Sequence, residues 1–161
     1  MMKGGKMTTI EMEIAIMRYM DIRKNIIVPN VSWGIVIDYK TLHECDLLIL
    51  SKSGYATEIE IKISKSDLKQ DIKKLHKHKH NAIKKFYFAV PVHLKEFALD
   101  NIPKHAGLIV VNEDSKVEMV KTAEINKYAI KWKDKEKAKL LRLGCMRILG
   151  LKEKIVKSSI I

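Results

Sequence analysis

The spacing of apolar residues changes several times along this 161-residue chain, and each change marks a new element. Ile10, Ile14, Met17 and Met20 recur at helical intervals, which predicts a helix over residues 8 to 24. Thr8, followed three residues later by Glu11, supplies a capping box at its start. Pro29 and Asn30 punctuate the end of that unit, and the β-branched, aromatic VSWGIVIDY (31–39) predicts a strand. CDLLIL and YATEIEIKIS then read as two strands of a hairpin that turns at Ser53-Gly54. The second alternates cleanly, with Ile59, Ile61 and Ile63 on one face and Glu58, Glu60 and Lys62 on the other.

From Ser66 to Lys85 the period becomes helical again, with Leu68, Ile72, Leu75 and Ile83 as the apolar stripe. Ser64 or Ser66 caps its start, and Asp67 and Asp71 suit the positive end of its dipole. FYFAVP (86–91) and AGLIVVNED (106–114) are continuous apolar runs expected of buried strands, with a short helix, LKEFALDN (94–101), between them. Residues 116 to 121 fit an edge strand. Beyond Lys133, the residues Ala138, Leu141, Cys145, Ile148 and Leu149 outline a long basic amphipathic helix. A hairpin gives antiparallel neighbours, and strand–helix–strand units give parallel ones. The expected fold is α/β: a flexible segment 1–7, then a single domain over 8–157 with a central mixed sheet flanked by helices.

Composition adds little to the fold and more to the partner. Hydrophobic residues make up 47% of the chain and aromatics only 6%, so Ile, Leu, Val and Met must fill the core. Trp33 and Trp132 are read as core residues, and Cys45 and Cys145 as two buried, reduced thiols. The net charge of +12 favours a polyanion such as nucleic acid, and its lysine bias suits backbone contact better than base reading. No signal-peptide core or membrane-length apolar run occurs, so a cytoplasmic location is expected and a membrane partner is not.

Candidate chemistry centres on Glu60 and Lys62, which share one strand face. Asp46 begins the preceding strand, fourteen residues upstream, where the hairpin folds it back toward Glu60. Two hard carboxylates on adjacent strands suit Mg²⁺ or Mn²⁺, and a lysine beside them would orient or help deprotonate a water. Glu58 is read as an extra, solvated carboxylate on that face. His76 and His80 fall one helical turn apart, as a zinc pair would. Lys73, Lys74, Lys77 and Lys79 repel a cation there, so a basic face for phosphates is preferred.

Asp46 followed by Glu60-Ile61-Lys62 resembles the D…(D/E)xK signature of the PD-(D/E)XK nuclease superfamily. EIKISKSDLKQD (60–71), the lysine-rich helix after it, KFYFAVP (85–91) and KAKLLRLGCMRILGLK (137–152) look like its MmcB-like DNA-repair branch. The resemblance implies a restriction-endonuclease-like fold and metal-dependent hydrolysis of DNA phosphodiesters, in repair or defence. It implies Asp46, Glu60 and the main-chain carbonyl of Ile61 as metal ligands, with Lys62 positioning the water. A first-helix glutamate would add a ligand, and Glu13 is preferred because Glu11 is occupied in capping. Ser64 or Asp67 would support the lysine, while Cys45 stands where the signature has proline. Lys65, Lys69, Lys73 and Lys77 would contact the phosphates. The competing expectations are a nuclease-like fold that grips nucleic acid without cutting it, and a domain that meets an acidic protein. Oligomeric state stays open, with a homodimer among the arrangements allowed.

Overall fold

The computed structural model describes residues 6–31, 35–37, 39–74 and 80–159. Its elements in chain order are α1 (Thr9–Tyr19), β1 (Ile26–Val31), β2 (Val36–Ile37), β3 (Lys40–Thr41), β4 (Cys45–Leu50), β5 (Ala56–Ile61), α2 (Lys65–Ile72) and β6 (Ile83–Pro91). A single 3-10 turn, Val92–Leu94, then leads into α3 (Lys95–Asn101), β7 (Gly107–Val111), β8 (Val117–Lys121) and α4 (Asp134–Ser159).

Six strands form one mixed sheet in the order β1-β4-β5-β6-β7-β8. The β1–β4 and β4–β5 pairs are antiparallel, β5–β6 and β6–β7 parallel, and β7–β8 antiparallel again. The chain is thus a single-domain α/β fold with helices on both faces of a mixed sheet. The β4–β5 hairpin turns where expected: Gly54 adopts φ +84°, a left-handed conformation that favours glycine. Its N–H donates to the Ser51 carbonyl at 2.9 Å. The two parallel steps need crossovers, which α2 and α3 provide.

One face carries Leu47, Ile49, Ile59, Tyr87 and Ile109 and is covered by Met12, Ala15 and Ile16 of α1. The opposite face packs Leu48 and Leu50 against Leu140 and Leu143 of α4. Farther along that face, Phe88 and Leu108 meet Leu68 of α2 and Ala98 of α3. Trp132 joins the core, and its indole N–H donates to the Ala82 carbonyl at 2.9 Å.

Several sequence expectations are corrected. The capping box of Thr8 and Glu11 is present, but α1 ends at Tyr19 and buries Met12, Ala15 and Ile16, while Ile10 and Ile14 face solvent. Apolar residues surround that helix, so spacing alone does not select the packed side. The first strand is Ile26–Val31, not 31–39, and Pro29 lies within it opposite Leu47. Proline is tolerated there because β1 is a sheet edge. Val36–Ile37 instead pairs with Lys40–Thr41 in a separate two-stranded ribbon. The helix expected over 66–85 ends at Ile72, and Ile83 opens β6. In α4 the buried residues are Leu140 and Leu143 rather than Ala138, Leu141, Cys145, Ile148 and Leu149. Cys145 is exposed, whereas Cys45 is buried. Trp33, His76, His78 and Lys77 lie outside the described residues. No helix among the described residues is long and apolar enough to cross a membrane.

Candidate active site

The β4–β5 register sets Leu48 opposite Glu58 and Leu47 opposite Ile59, so the next step along the ladder brings Asp46 beside Glu60. Two cross-strand hydrogen bonds fix the pair. The Asp46 N–H donates to Glu60 Oε1 at 3.4 Å, and the Ile61 N–H donates to Asp46 Oδ2 at 2.8 Å. Lys62 is anchored just beyond β5, where its N–H donates to the Ala89 carbonyl of β6 at 2.9 Å. Its ammonium donates to Glu60 Oε2 at 3.0 Å and lies 3.7 Å from Asp46 Oδ2. Asp46, Glu60 and Lys62 thus converge on one spot.

A fourth charge meets them from α2. Asp71 Oδ1 lies 3.7 Å from the Lys62 ammonium, so three carboxylates surround one amine. Because α2 is only Lys65–Ile72, Asp71 sits at its C-terminal end, where the dipole disfavours an anion. The reading of Asp71 as a dipole partner is therefore corrected, and its position is explained by Lys62. Ser64 is the α2 N-cap, accepting from the Asp67 N–H at 3.2 Å, and Asp67 is exposed. Of the two aspartates on that helix, the one that reaches the site is Asp71.

These groups line a cleft of about 580 Å³ with His43, Cys45, Lys74 and Arg147. Arg147 is held from behind, since its guanidinium donates to the Asn30 carbonyl of β1. Of the expected phosphate contacts, Lys65 and Lys69 set their ammonium groups 5.3 and 5.5 Å from the Phe97 ring centroid on α3. Lys73 is the exposed C-cap of α2, and Lys74, which the spacing argument passed over, lines the cleft. Glu13 does not line it, yet burial and the Asp46 charge both raise its pKa, so it lies within electrostatic reach.

The electrostatics of the pair are those of a site crowded with negative charge. Burial, then the neighbouring Asp46, pushes Glu60 up to about 8, against the downward pull of Lys62. Burial works to lower the Lys62 pKa, but Glu60, Asp46 and Asp71 outweigh it and raise the net value. Burial also pushes the Cys45 thiol well above its usual range, reinforced by Glu58 and Glu60.

Glu58 is the largest departure from expectation. Read as solvated, it is 0% exposed, and His43 Nε2 sits 2.7 and 2.8 Å from its two oxygens. His43 thus supplies a close polar partner to a carboxylate that is fully out of solvent, where burial without hydrogen bonds is costly. Neither role was signalled by spacing. The one clue was His43-Glu44-Cys45 leading into the strand that holds Asp46.

No protein-family model matches this chain, and no curated protein does. Among solved structures, its fold is similar to that of SPO1766, a protein of unknown function from Silicibacter pomeroyi. The two share 16% identity at a TM-score of 0.60, over 93% of this chain and 92% of that one. The likeness concerns the fold alone.

Proposed function

We propose that this chain is a divalent-metal-dependent nuclease of the PD-(D/E)XK kind that hydrolyses phosphodiester bonds in DNA. The observation that carries the reading is the meeting of Asp46, Glu60 and Lys62 at one spot of a cleft, locked by the 2.8 Å bond from Ile61 to Asp46. The donor set fits Mg²⁺ or Mn²⁺, because Asp46 and Glu60 offer only hard oxygens. Burial and the Asp46 charge together push Glu60 up to about 8, and a dication would offset both by compensating the buried negative charge. Such an ion supplies Lewis-acid stabilisation of the phosphate and a more acidic water.

The chain's own residues do the rest. Lys62, held by Glu60, Asp46 and Asp71, would orient an attacking water through its ammonium. Lys74 and Arg147 add positive charge along the cleft for phosphate groups. The test is cleavage of single-stranded, duplex and branched DNA with Mg²⁺ or Mn²⁺, comparing wild type with Glu60→Ala and Lys62→Ala. Both variants are expected to lose activity, and equal cleavage by all three proteins would remove the reading.

A second reading, a DNA-binding domain without turnover, is supported by Glu13 lying outside the cleft lining. Salt-dependent binding with no cleavage in any metal would favour it.

A further inference from the structure

We infer that His43, Cys45 and Glu58 form a second metal site in the same cleft, one that takes a borderline divalent ion of the Zn²⁺ kind. This site does not depend on the nuclease reading. One ligand atom from each residue lies within 4.8 Å of the other two. Cys45 and Glu58 are buried and His43 is half-buried, so solvent does not dilute the cluster.

The fold brings the three together for separate reasons. His43 and Cys45 are two residues apart at the entry to β4, and Glu58 projects from β5 opposite Leu48. Ligand atoms on a tetrahedral zinc stand about 3.3–3.6 Å apart, given bonds of about 2.0–2.3 Å. The contacts of 2.7 and 2.8 Å between His43 Nε2 and Glu58 would therefore open by about half an ångström. Cys45 would close by about 1.2–1.5 Å at most. Side-chain rotations supply movements of that size without disturbing the sheet.

Charge favours the same ion. A thiolate and a carboxylate together neutralise a dication, and the imidazole binds as a neutral ligand, so the buried cluster gains no net charge. On binding, the Cys45 thiol proton leaves to solvent, and any proton on His43 Nε2 leaves or moves to Nδ1. Softness sorts the two sites. The thiolate and imidazole prefer Zn²⁺ or Co²⁺, whereas Asp46 and Glu60 prefer Mg²⁺ or Mn²⁺.

Three protein ligands would leave a fourth coordination position, and two of them, His43 and Cys45, line the cleft. His80, with its ring centroid 6.5 Å from that of His43, is not counted as a ligand. The Ala82 N–H donates to its Nδ1 at 3.0 Å, which leaves the proton of neutral His80 on Nε2.

The test is titration of the EDTA-treated full chain with Co²⁺, read by absorption. One equivalent is expected to produce the near-ultraviolet thiolate-to-cobalt band together with intense d–d bands of a four-coordinate ion. Zn²⁺ should abolish both, and excess Mg²⁺ should leave them intact. Cys45→Ser should lose the thiolate band, and Glu60→Gln should keep it. His43→Ala also removes a close contact of buried Glu58, so Cys45→Ser, with circular dichroism to confirm folding, is the decisive variant. Absence of a thiolate band in wild type would overturn the inference and leave only the close His43–Glu58 contact. A band retained in Cys45→Ser would overturn it too, because the exposed Cys145 would then be the ligand.

Discussion

Replacing Glu60 by glutamine removes a buried, unfavourable charge while keeping the side chain's shape. Burial and Asp46 hold this carboxyl protonated up to pH about 8, against 4.5 for an ordinary glutamate. Between those limits the folded protein keeps a proton that the unfolded chain has released, so stability falls as pH rises across that window. At about 1.4 kcal/mol per pH unit, the shift sets a ceiling of about 5 kcal/mol on that loss. Rearrangement of the half-buried Lys62 and Asp46 lowers the expected figure to about 2–3 kcal/mol, a substantial part of a typical domain's stability. Urea denaturation in EDTA from pH 5 to 9 reads it directly. Wild type should lose stability relative to Glu60→Gln as pH rises, with the variant ahead at pH 9. The raised Glu13 and the lowered His80, shifted by burial and then by His43, are common to both proteins and cancel in the difference. Added Mn²⁺ should raise the wild-type midpoint at pH 8 and leave the variant unchanged. Parallel pH profiles for the two proteins would refute the electrostatic account of the site.

Three further outcomes are expected. His43→Ala removes the 2.7 and 2.8 Å contacts to buried Glu58 and should destabilise the protein by about 1–3 kcal/mol in chemical denaturation, and a His43→Ala, Glu58→Met double variant should recover part of that. Gly107→Ala should cost about 1–3 kcal/mol in the same measurement. A Cβ there would stand 2.3 Å from the Tyr87 ring and 2.7 Å from the Ala123 nitrogen. On the proposed function, Lys74→Ala should weaken DNA binding and reduce the salt slope by about 0.9. Lys65→Ala and Lys69→Ala, whose ammonium groups lie near the Phe97 ring, should change it less.

The hairpin, both parallel strands and the edge strand were legible because short apolar runs bounded by glycine, proline or charge have few alternative conformations. Asp46, Glu60 and Lys62 were legible for the same reason, since a strand's period of two assigns them a face. Burial was not legible. Glu58 and Glu60 share that face, and its polar character suggested solvent, but the elements packed over the sheet enclose both. His43 precedes β4, whose start at Cys45 the pattern places correctly, and a single histidine before a strand carries no spacing signal; Asp71 reaches the cleft from α2, whose end the pattern places too late. The α2 spacing ran on through Ile83, which hid the fact that Asp71 closes the helix. The pattern marks Pro29 as a boundary, yet its strand lies at the margin of the sheet, where the usual objection to proline does not hold.

That margin has a consequence for how copies of this protein meet. An open sheet edge offers unpaired amides on which another chain can build. Along β1, Pro29 has no amide hydrogen to offer, Asn30 bends the backbone at φ +51°, and Arg147 already occupies the Asn30 carbonyl. A neighbouring strand would find this border interrupted at its centre. Addition of strands across β1 is thereby disfavoured, which leaves β8, at the opposite edge of the sheet, as the border open to a shared ladder.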